Sequence, residues 1–482
     1  MLRQASTDRD HAAVVIVSRN SDQPGRRILI RLSRRPFWED RLAASRGRSL
    51  LAPRAMTTMT KRSAVVEIVY IDAGGGHRSA MNALKEVLAE RYPGWQIRPL
   101  DLQKLLEPID PIHRITQRIT RPLQRVLQQI APKLALEPVQ AQDIYNTALK
   151  RGATRGLGAI LPILQAFIRH YADELEEILR QHWRRPDQAR PDLVVSVIPN
   201  FNGVMFRALR DVHPGIPYVT VMTDMVDCPP NFWMEDQDQV MICGTHKAFV
   251  QAKASGFYRP GKVFEVSGMM LKKSFYDEPD APRLTHAALG LSPDRATGLI
   301  MFGGNGSLTA SLDILERFDK ARLDVQTIVL CGNNKKLRDS LQGRAGCHAV
   351  GFVQNVADYM RLADFVIGKP GPGSISEAVH MGCPVIVERN AKTMPQERPN
   401  VDWILQRGVG ISVKSFDRQI VAAVQRMLGD IASYRAAIAA NVPRNVAVFE
   451  VADHLDRIMA ARDTRPAPRA LPVSSDDAGI AR

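Results

Sequence analysis

Two short stretches of the chain place reactive side chains at turns that a ligand can reach. The first is Asp72-Ala-Gly-Gly-Gly-His77-Arg78. The second is Gly368-Lys-Pro-Gly-Pro-Gly-Ser-Ile-Ser-Glu377, followed by Val385-Ile-Val-Glu-Arg-Asn390 and Gln396-Glu397-Arg-Pro-Asn400. A histidine titrates near neutrality and suits general-base work. Three glycines beside His77 leave room for a substrate, although a histidine at a turn can equally cap or pack. Glycines let the backbone approach a ligand, and a helix beginning near Ser374 would present unpaired N–H groups to an anion. An acidic side chain one turn into that helix, Glu377, could take two ribose hydroxyls. The combination suits a nucleotide diphosphate, with Gln396 and Glu397 near whatever the diphosphate carries. The plain alternative is an ordinary strand–turn–helix with a Gly-rich corner.

Further turns of the same kind follow other apolar runs. Gly303-Gly-Asn305-Gly-Ser307 follows Gly298–Phe302, and Gly332-Asn333-Asn334 follows Val325–Leu330. Neither a dinucleotide Gly-x-Gly-x-x-Gly in register nor a P-loop signature occurs, so NAD binding and a P-loop ATPase are disfavoured. Asp224 ends the run Pro217–Thr223 and is either catalytic or a helix cap; Trp233 lies shortly after it. No Asp-x-Asp stands at a strand end, and no His/Asp/Glu cluster suggests a metal, so metal-free chemistry is expected.

These turns require strands to carry them. Ala64–Ile71, Trp95–Leu100, Pro191–Ile198, Pro217–Thr223 and Gln239–Cys243 read as strands of a first block, with a helix from about Ser79 to Arg91 after the first of them. Gly298–Phe302, Val325–Leu330, Ala349–Val353, Asp364–Ile367 and Pro384–Val387 read as strands of a second. Apolar runs alternating with helical patterns predict parallel sheets with helices on both faces. A Pro-containing break at about 271–296 separates the blocks, and ligands in such sheets sit outside the strand C-termini. The expected fold class is α/β, two Rossmann-like domains facing a cleft.

The 482 residues suffice for two large cores, and 45% hydrophobic with 24% charged residues is a globular composition. No apolar run approaches the ~18–20 residues of a membrane-spanning helix. Five scattered cysteines include no Cys-x-x-Cys, which disfavours a disulfide framework or zinc site. The net charge of +15 is unevenly spread. Residues 1–55 hold twelve Arg against five Asp/Glu, a net +7. Residues 1–62 are expected to be disordered or a mis-called extension, with translation beginning at Met56 or Met59. A second basic stretch recurs at helical spacing, Arg114, Arg118, Arg121 and Arg125, beside Ile112, Ile115, Ile119 and Leu123. It fits an anionic membrane surface or a solvated helix face. Without a basic sheet interleaved with aromatics, a nucleic-acid-binding protein is disfavoured. The tail 463–482 is expected to be disordered.

Together these residues resemble the monogalactosyldiacylglycerol synthase family, glycosyltransferases that include bacterial diacylglycerol glucosyltransferases, over most of residues 63–445. A more distant resemblance is to the enzyme that adds N-acetylglucosamine to the peptidoglycan lipid precursor. The anchors are Gly-Gly-Gly-His-Arg at 74–78, Gly-Pro-Gly-Ser-Ile-Ser-Glu at 371–377, and Gln396-Glu397 with Asn400. The resemblance implies a GT-B fold, with 63–275 binding acceptor and 276–462, C-terminal helices included, binding a UDP-sugar. It implies an inverting transfer of galactose or glucose to diacylglycerol, with no cofactor. A UDP-N-acetylglucosamine-using transferase or 2-epimerase on the same fold is the alternative. His77 is implied as the base, with Gly75, Gly76, Asp224 and Trp233 on the acceptor side. Gly371, Gly373 and Ser374 are implied around the diphosphate, and Glu377 at the ribose. Gly303, Gly304, Asn305, Gly332 and Asn333 would line the nucleotide, Gln396 and Glu397 the sugar, and Asn400 would support the sugar loop. The expected location is cytoplasmic, peripheral to the inner face of the membrane.

Overall fold

The computed structural model describes residues 63–72, 75–107, 165–166, 168–279, 281–391 and 393–463. The expectations for residues 1–62, for Ala73 and Gly74, for Arg114, Arg118, Arg121 and Arg125, and for the tail beyond 463 lie outside the described residues.

The first block runs β1 (Ala64–Tyr70), α1 (Gly76–Arg91), β2 (Trp95–Asp101), α2 (Leu102–Leu106), α3 (Ala172–Trp183), β3 (Leu193–Ser196), α4 (Asn202–Val212), β4 (Tyr218–Val221), β5 (Val240–Cys243), α5 (His246–Ala254) and β6 (Val263–Glu265). Its strands form one parallel sheet in the order β2-β1-β3-β4-β5-β6. The apolar runs are continuous because helices cover both faces of these strands, and α1 turns Ala80, Ala83, Leu84, Val87 and Leu88 onto the sheet.

The second block runs β7 (Thr297–Met301), α6 (Leu308–Lys320), β8 (Gln326–Gly332), α7 (Lys335–Ser340), β9 (Cys347–Gly351), α8 (Val356–Arg361), β10 (Phe365–Gly368), α9 (Pro372–His380), β11 (Val385–Glu388), α10 (Arg398–Arg407), β12 (Gly410–Val413), α11 (Phe416–Gly429), α12 (Ile431–Asn441) and α13 (Ala447–Asp463). The parallel order is β12-β11-β10-β7-β8-β9. In each sheet the chain reverses its direction of travel at one place, between β1 and β3 in the first and between β7 and β10 in the second. Those switch points leave a crevice beyond the strand ends, where α/β sheets bind ligands.

Three features differ from expectation. Strands β6 and β12 have no clear sequence signal: β6 is a three-residue edge with a partly exposed face, and β12 contains Gly410 and Ser412. Gly410 is required because a Cβ there would overlap the Val385 carbonyl oxygen. Two helices also start early. Helix α1 begins at Gly76 rather than near Ser79, because Gly75 takes φ 84° and its carbonyl accepts from Ser79 N at 3.0 Å. Helix α9 begins at Pro372 rather than Ser374, since proline suits a first helical position whose N–H would be unpaired in any case.

Helix α13, expected with the second block, packs on the first. Val448, Val451, Ala452, Leu455 and Met459 are fully buried in the same cluster as β1, α1 and β3. Arg462 pairs with Asp192 at 3.0 Å, and Glu450 accepts from Ser267 N at 2.7 Å. The apolar face of the helix decides its lobe, and chain order does not. The lobes are therefore joined by two chain crossings rather than one.

Candidate active site

His77 stands at the switch point of the first sheet. As the second residue of α1 it is not the N-cap, which is Gly75 and makes no side-chain cap bond. The neighbouring strand end supplies its partner: Nδ1 lies 2.8 Å from the Val197 carbonyl oxygen and 3.0 Å from Thr223 Oγ1. A carbonyl only accepts, so the proton is assigned to Nδ1, which leaves the Nε2 lone pair open. Burial pushes the imidazole down to about 4, against a smaller upward pull from Val197. The ring is therefore neutral at physiological pH. A Cβ at Gly75 or Gly76 would meet nothing within 4 Å, so there is open space beside His77. Arg78 closes the turn through Asp72 at 2.6 Å.

Behind His77 lies Trp233, fully buried, its ring centroid 6.1 Å from the imidazole. Trp233 is thus a wall behind the histidine and not an exposed platform. Its Nε1 donates to Asp224 Oδ2 at 2.9 Å. No described helix starts at Asp224, so the capping alternative is removed. Burial, then the charges of Glu397 and Asp227, push the Asp224 carboxyl up to about 7, while Trp233 and Lys369 pull it down. Glu397 and Lys369 belong to the second lobe, so Asp224 faces across the cleft. Cys228 crosses it too, its Sγ 3.6 Å from the Pro395 carbonyl oxygen.

On the second sheet two helices begin at the switch point without a side-chain cap, α6 after Ser307 and α9 after Gly371. In α9 Pro372 has no N–H, and the first i→i−4 bond runs from Ile375 N to Gly371 O at 3.1 Å. The amides of Gly373 and Ser374 precede it, and a Cβ at Gly373 would meet nothing within 4 Å. Such a terminus favours negative charge. Glu377 is partly buried in the second turn of α9. Its carboxyl is pushed up to about 7 by burial, with Lys272 pulling it down, and it has no hydrogen-bond partner among the described residues.

The loops after β7 and β8 lock together. Asn333 N donates to Gly304 O at 2.9 Å, and a Cβ on Gly332, at φ 56°, would overlap that same carbonyl. A Cβ on Gly306 would overlap the Cys331 carbonyl. Asn333 is exposed, Gly303, Gly304 and Asn305 are partly buried, and the side chain of Asn334 caps α7 through Leu337 N at 3.0 Å. Beyond the next strand, Asn400 is fully buried and its Nδ2 donates to Pro370 O at 2.9 Å, tying the start of α10 to the Gly/Pro turn. Asn400 Oδ1 and Gln396 Oε1 are buried acceptors without a donor among the described residues. Glu397 is buried and accepts from Lys369 Nζ at 2.9 Å.

Sequence reasoning missed three residues here. Lys369 and Thr223 are identified only by contacts distant in sequence, with Glu397 and His77. Phe352, 48% exposed after β9, has its ring 4.0 Å from where a Cβ on Gly304 would stand. An exposed aromatic at a strand's C-terminal end was its available signal. Among the described residues no group of three His, Cys, Asp or Glu side chains is disposed to hold a metal ion.

Residues 299–458 match the glycosyltransferase family 28 C-terminal domain. The chain is 25% identical over 412 residues to the chloroplastic monogalactosyldiacylglycerol synthase of Spinacia oleracea, covering 82% of this chain and 72% of that protein. It is 27% identical over 262 residues to the processive diacylglycerol beta-glucosyltransferase of Bacillus licheniformis, covering 53% of this chain and 63% of that protein. Among solved structures, the glycosyltransferase SnogD from Streptomyces nogalater is similar with a TM-score of 0.50, covering 83% of this chain and 100% of that one, at 17% identity. That likeness concerns the fold, which is GT-B.

Proposed function

We propose that the chain is a glycosyltransferase like the monogalactosyldiacylglycerol synthases and diacylglycerol glucosyltransferase it resembles, and that it moves a hexose, galactose or glucose, from a UDP-sugar to the free hydroxyl of diacylglycerol. The observation that carries this reading is the pairing of two switch points. One holds a neutral histidine with Nε2 open; the other holds an uncapped helix terminus with a carboxyl that has no hydrogen-bond partner one turn further in. The acceptor oxygen attacks the anomeric carbon as His77 Nε2 takes its proton, and the bond from that carbon to the diphosphate oxygen breaks. UDP leaves with its charge met by the amides of Gly373 and Ser374 and by the α6 and α9 termini. Attack opposite the leaving group inverts the anomer and gives a β-glycosyl-diacylglycerol. Glu377 accepts from the ribose, Phe352 offers a flat apolar surface to the uracil, and Gln396 and Glu397 take the hexose hydroxyls on a loop that the buried Asn400 supports through Pro370. The test is purified protein with UDP-[14C]galactose, UDP-glucose, UDP-glucuronate and UDP-N-acetylglucosamine on diacylglycerol liposomes. Conversion of UDP-N-acetylglucosamine without lipid, and no glycolipid from any donor, would overturn the reading.

The reaction is proposed to need no metal, because helix termini supply the positive potential a cation would otherwise bring. Turnover is expected to be unchanged in EDTA; loss in EDTA restored by Mg2+ or Mn2+ would refute this. With His77 held at about 4, the acid limb that it imposes on kcat/KM is expected well below pH 6.5. A limb at 6.5 or above that persists in Asp224→Asn would contradict the assignment.

Membrane contact is proposed to be peripheral, on the cytoplasmic face, through the stripe Arg114, Arg118, Arg121 and Arg125. Among the described residues no helix is long and apolar enough to cross a membrane. Flotation on anionic but not neutral vesicles is expected, and equal flotation on both would argue against the stripe.

A further inference from the structure

Lys369 leaves the end of β10 at the switch point of the second sheet, between the two uncapped helix termini. Its Cε lies 3.7 Å from where a Cβ on Gly303 would stand and 3.5 Å from where one on Gly371 would stand. The lysine stem therefore crosses the floor between the turn after β7 and the turn after β10, where the diphosphate is proposed to lie. Its Nζ reaches past that floor to Glu397 Oε1 at 2.9 Å. Glu397 is 5% exposed, while the Lys369 side chain is 35% exposed. Beside Glu397 stand the donorless oxygens of Gln396 and Asn400, and across the cleft lies Asp224. One ion pair thus joins the proposed phosphate and sugar subsites.

We infer that Lys369 is a switchable counter-ion: it is held by Glu397 while the site is empty and passes to the diphosphate when donor binds, which frees the Glu397 carboxylate to accept a hexose hydroxyl. The inference rests on the donor-site reading above. Its logic is electrostatic. A diphosphate carries more charge than one carboxylate and lies along the lysine stem, so it competes well for Nζ. Glu397 would then be a buried anion without a cation, which is costly unless a hydrogen-bond donor reaches it. The hexose of an intact donor supplies one, and free UDP does not. Donor therefore satisfies both groups, whereas the product UDP strands Glu397 and is released more readily.

Isothermal titration at fixed ionic strength with UMP, UDP and UDP-hexose tests this on wild type, Lys369→Met and Glu397→Gln, each checked for a native melting transition. Lys369→Met is expected to weaken UDP and UDP-hexose by about 10- to 100-fold, the range for one charge-assisted hydrogen bond, and to alter UMP much less. Glu397→Gln is expected to tighten UDP, because Lys369 is no longer held back, while weakening the advantage of UDP-hexose over UDP. A purely structural ion pair would lower every affinity together. Weaker UDP binding in Glu397→Gln, or equal losses of UMP and UDP in Lys369→Met, would overturn the hand-off. If Lys369→Met does not melt as a native protein, Lys369→Gln replaces it under the same criteria. Absence of binding by all three ligands to wild type would instead remove the donor-site reading.

Discussion

Replacing His77 by alanine is expected to lower kcat for hexosyl transfer by about 10²–10⁴-fold, the usual contribution of a positioned general base, while leaving UDP affinity unchanged. The separation follows from where the residue stands. His77 lies on the first lobe, and its Nδ1 is occupied by the Val197 carbonyl at 2.8 Å and faces Thr223 Oγ1 at 3.0 Å. A ring anchored through Nδ1 presents Nε2 in one orientation and in its unprotonated form. Burial reinforces this by disfavouring the imidazolium, which also makes the free-enzyme base weak. Approach of the diphosphate should raise its basicity in the ternary complex, so binding of donor would help activate the base. Steady-state kinetics with titration of UDP checks the split. An alanine variant that keeps full turnover would exclude His77 as the base. One that loses UDP affinity along with kcat would place it in the donor site.

The parts of this protein legible in the sequence were those governed by local rules. Strands such as Leu193–Ser196 and Phe365–Gly368 are apolar runs because they are interior strands of parallel sheets covered on both faces. His77, Glu377 and Gln396 draw notice in the sequence as reactive side chains beside glycine and proline turns, a pattern that an ordinary strand–turn–helix also shows. Helix starts were misplaced by two or three residues, since Gly75 and Pro372 act through φ and a missing N–H, and hydrophobic periodicity does not register either. Glycine alone did not reveal its purpose: Gly332 and Gly306 are needed to let two loops interlock, whereas Gly76 and Gly373 leave open space. Long-range pairing was out of reach. Thr223 meets His77 across 146 positions and Lys369 meets Glu397 across 28, and no spacing rule connects either pair. Helix α13 shows the same limit, because its destination depends on which lobe offers an apolar groove.

Glu377→Ala is expected to raise the KM for the UDP-sugar by roughly 10²-fold or more, since hydrogen bonds to a charged group contribute about 1.5–3 kcal/mol each and a ribose offers two hydroxyls. The fold gives up stability to keep this carboxyl. Burial pushes it up to about 7 from an ordinary carboxylate value, and no described residue donates a hydrogen bond to it. Between the unfolded value and about 7 the folded chain holds the proton more firmly than the unfolded chain does. Glu377 therefore supports the fold at low pH, and that contribution is lost as pH rises through about 7. Glu377→Gln should then melt at a higher temperature than wild type at pH 8 while binding donor more weakly. A residue kept for packing alone would not separate the two effects in this way. A 2′-deoxy donor sharpens the test: it should be a poorer substrate than the ribose form for wild type, and the difference should largely vanish in Glu377→Ala. If the variant discriminates as well as wild type does, Glu377 is not the ribose ligand, and the nucleotide must enter the cleft by another set of contacts.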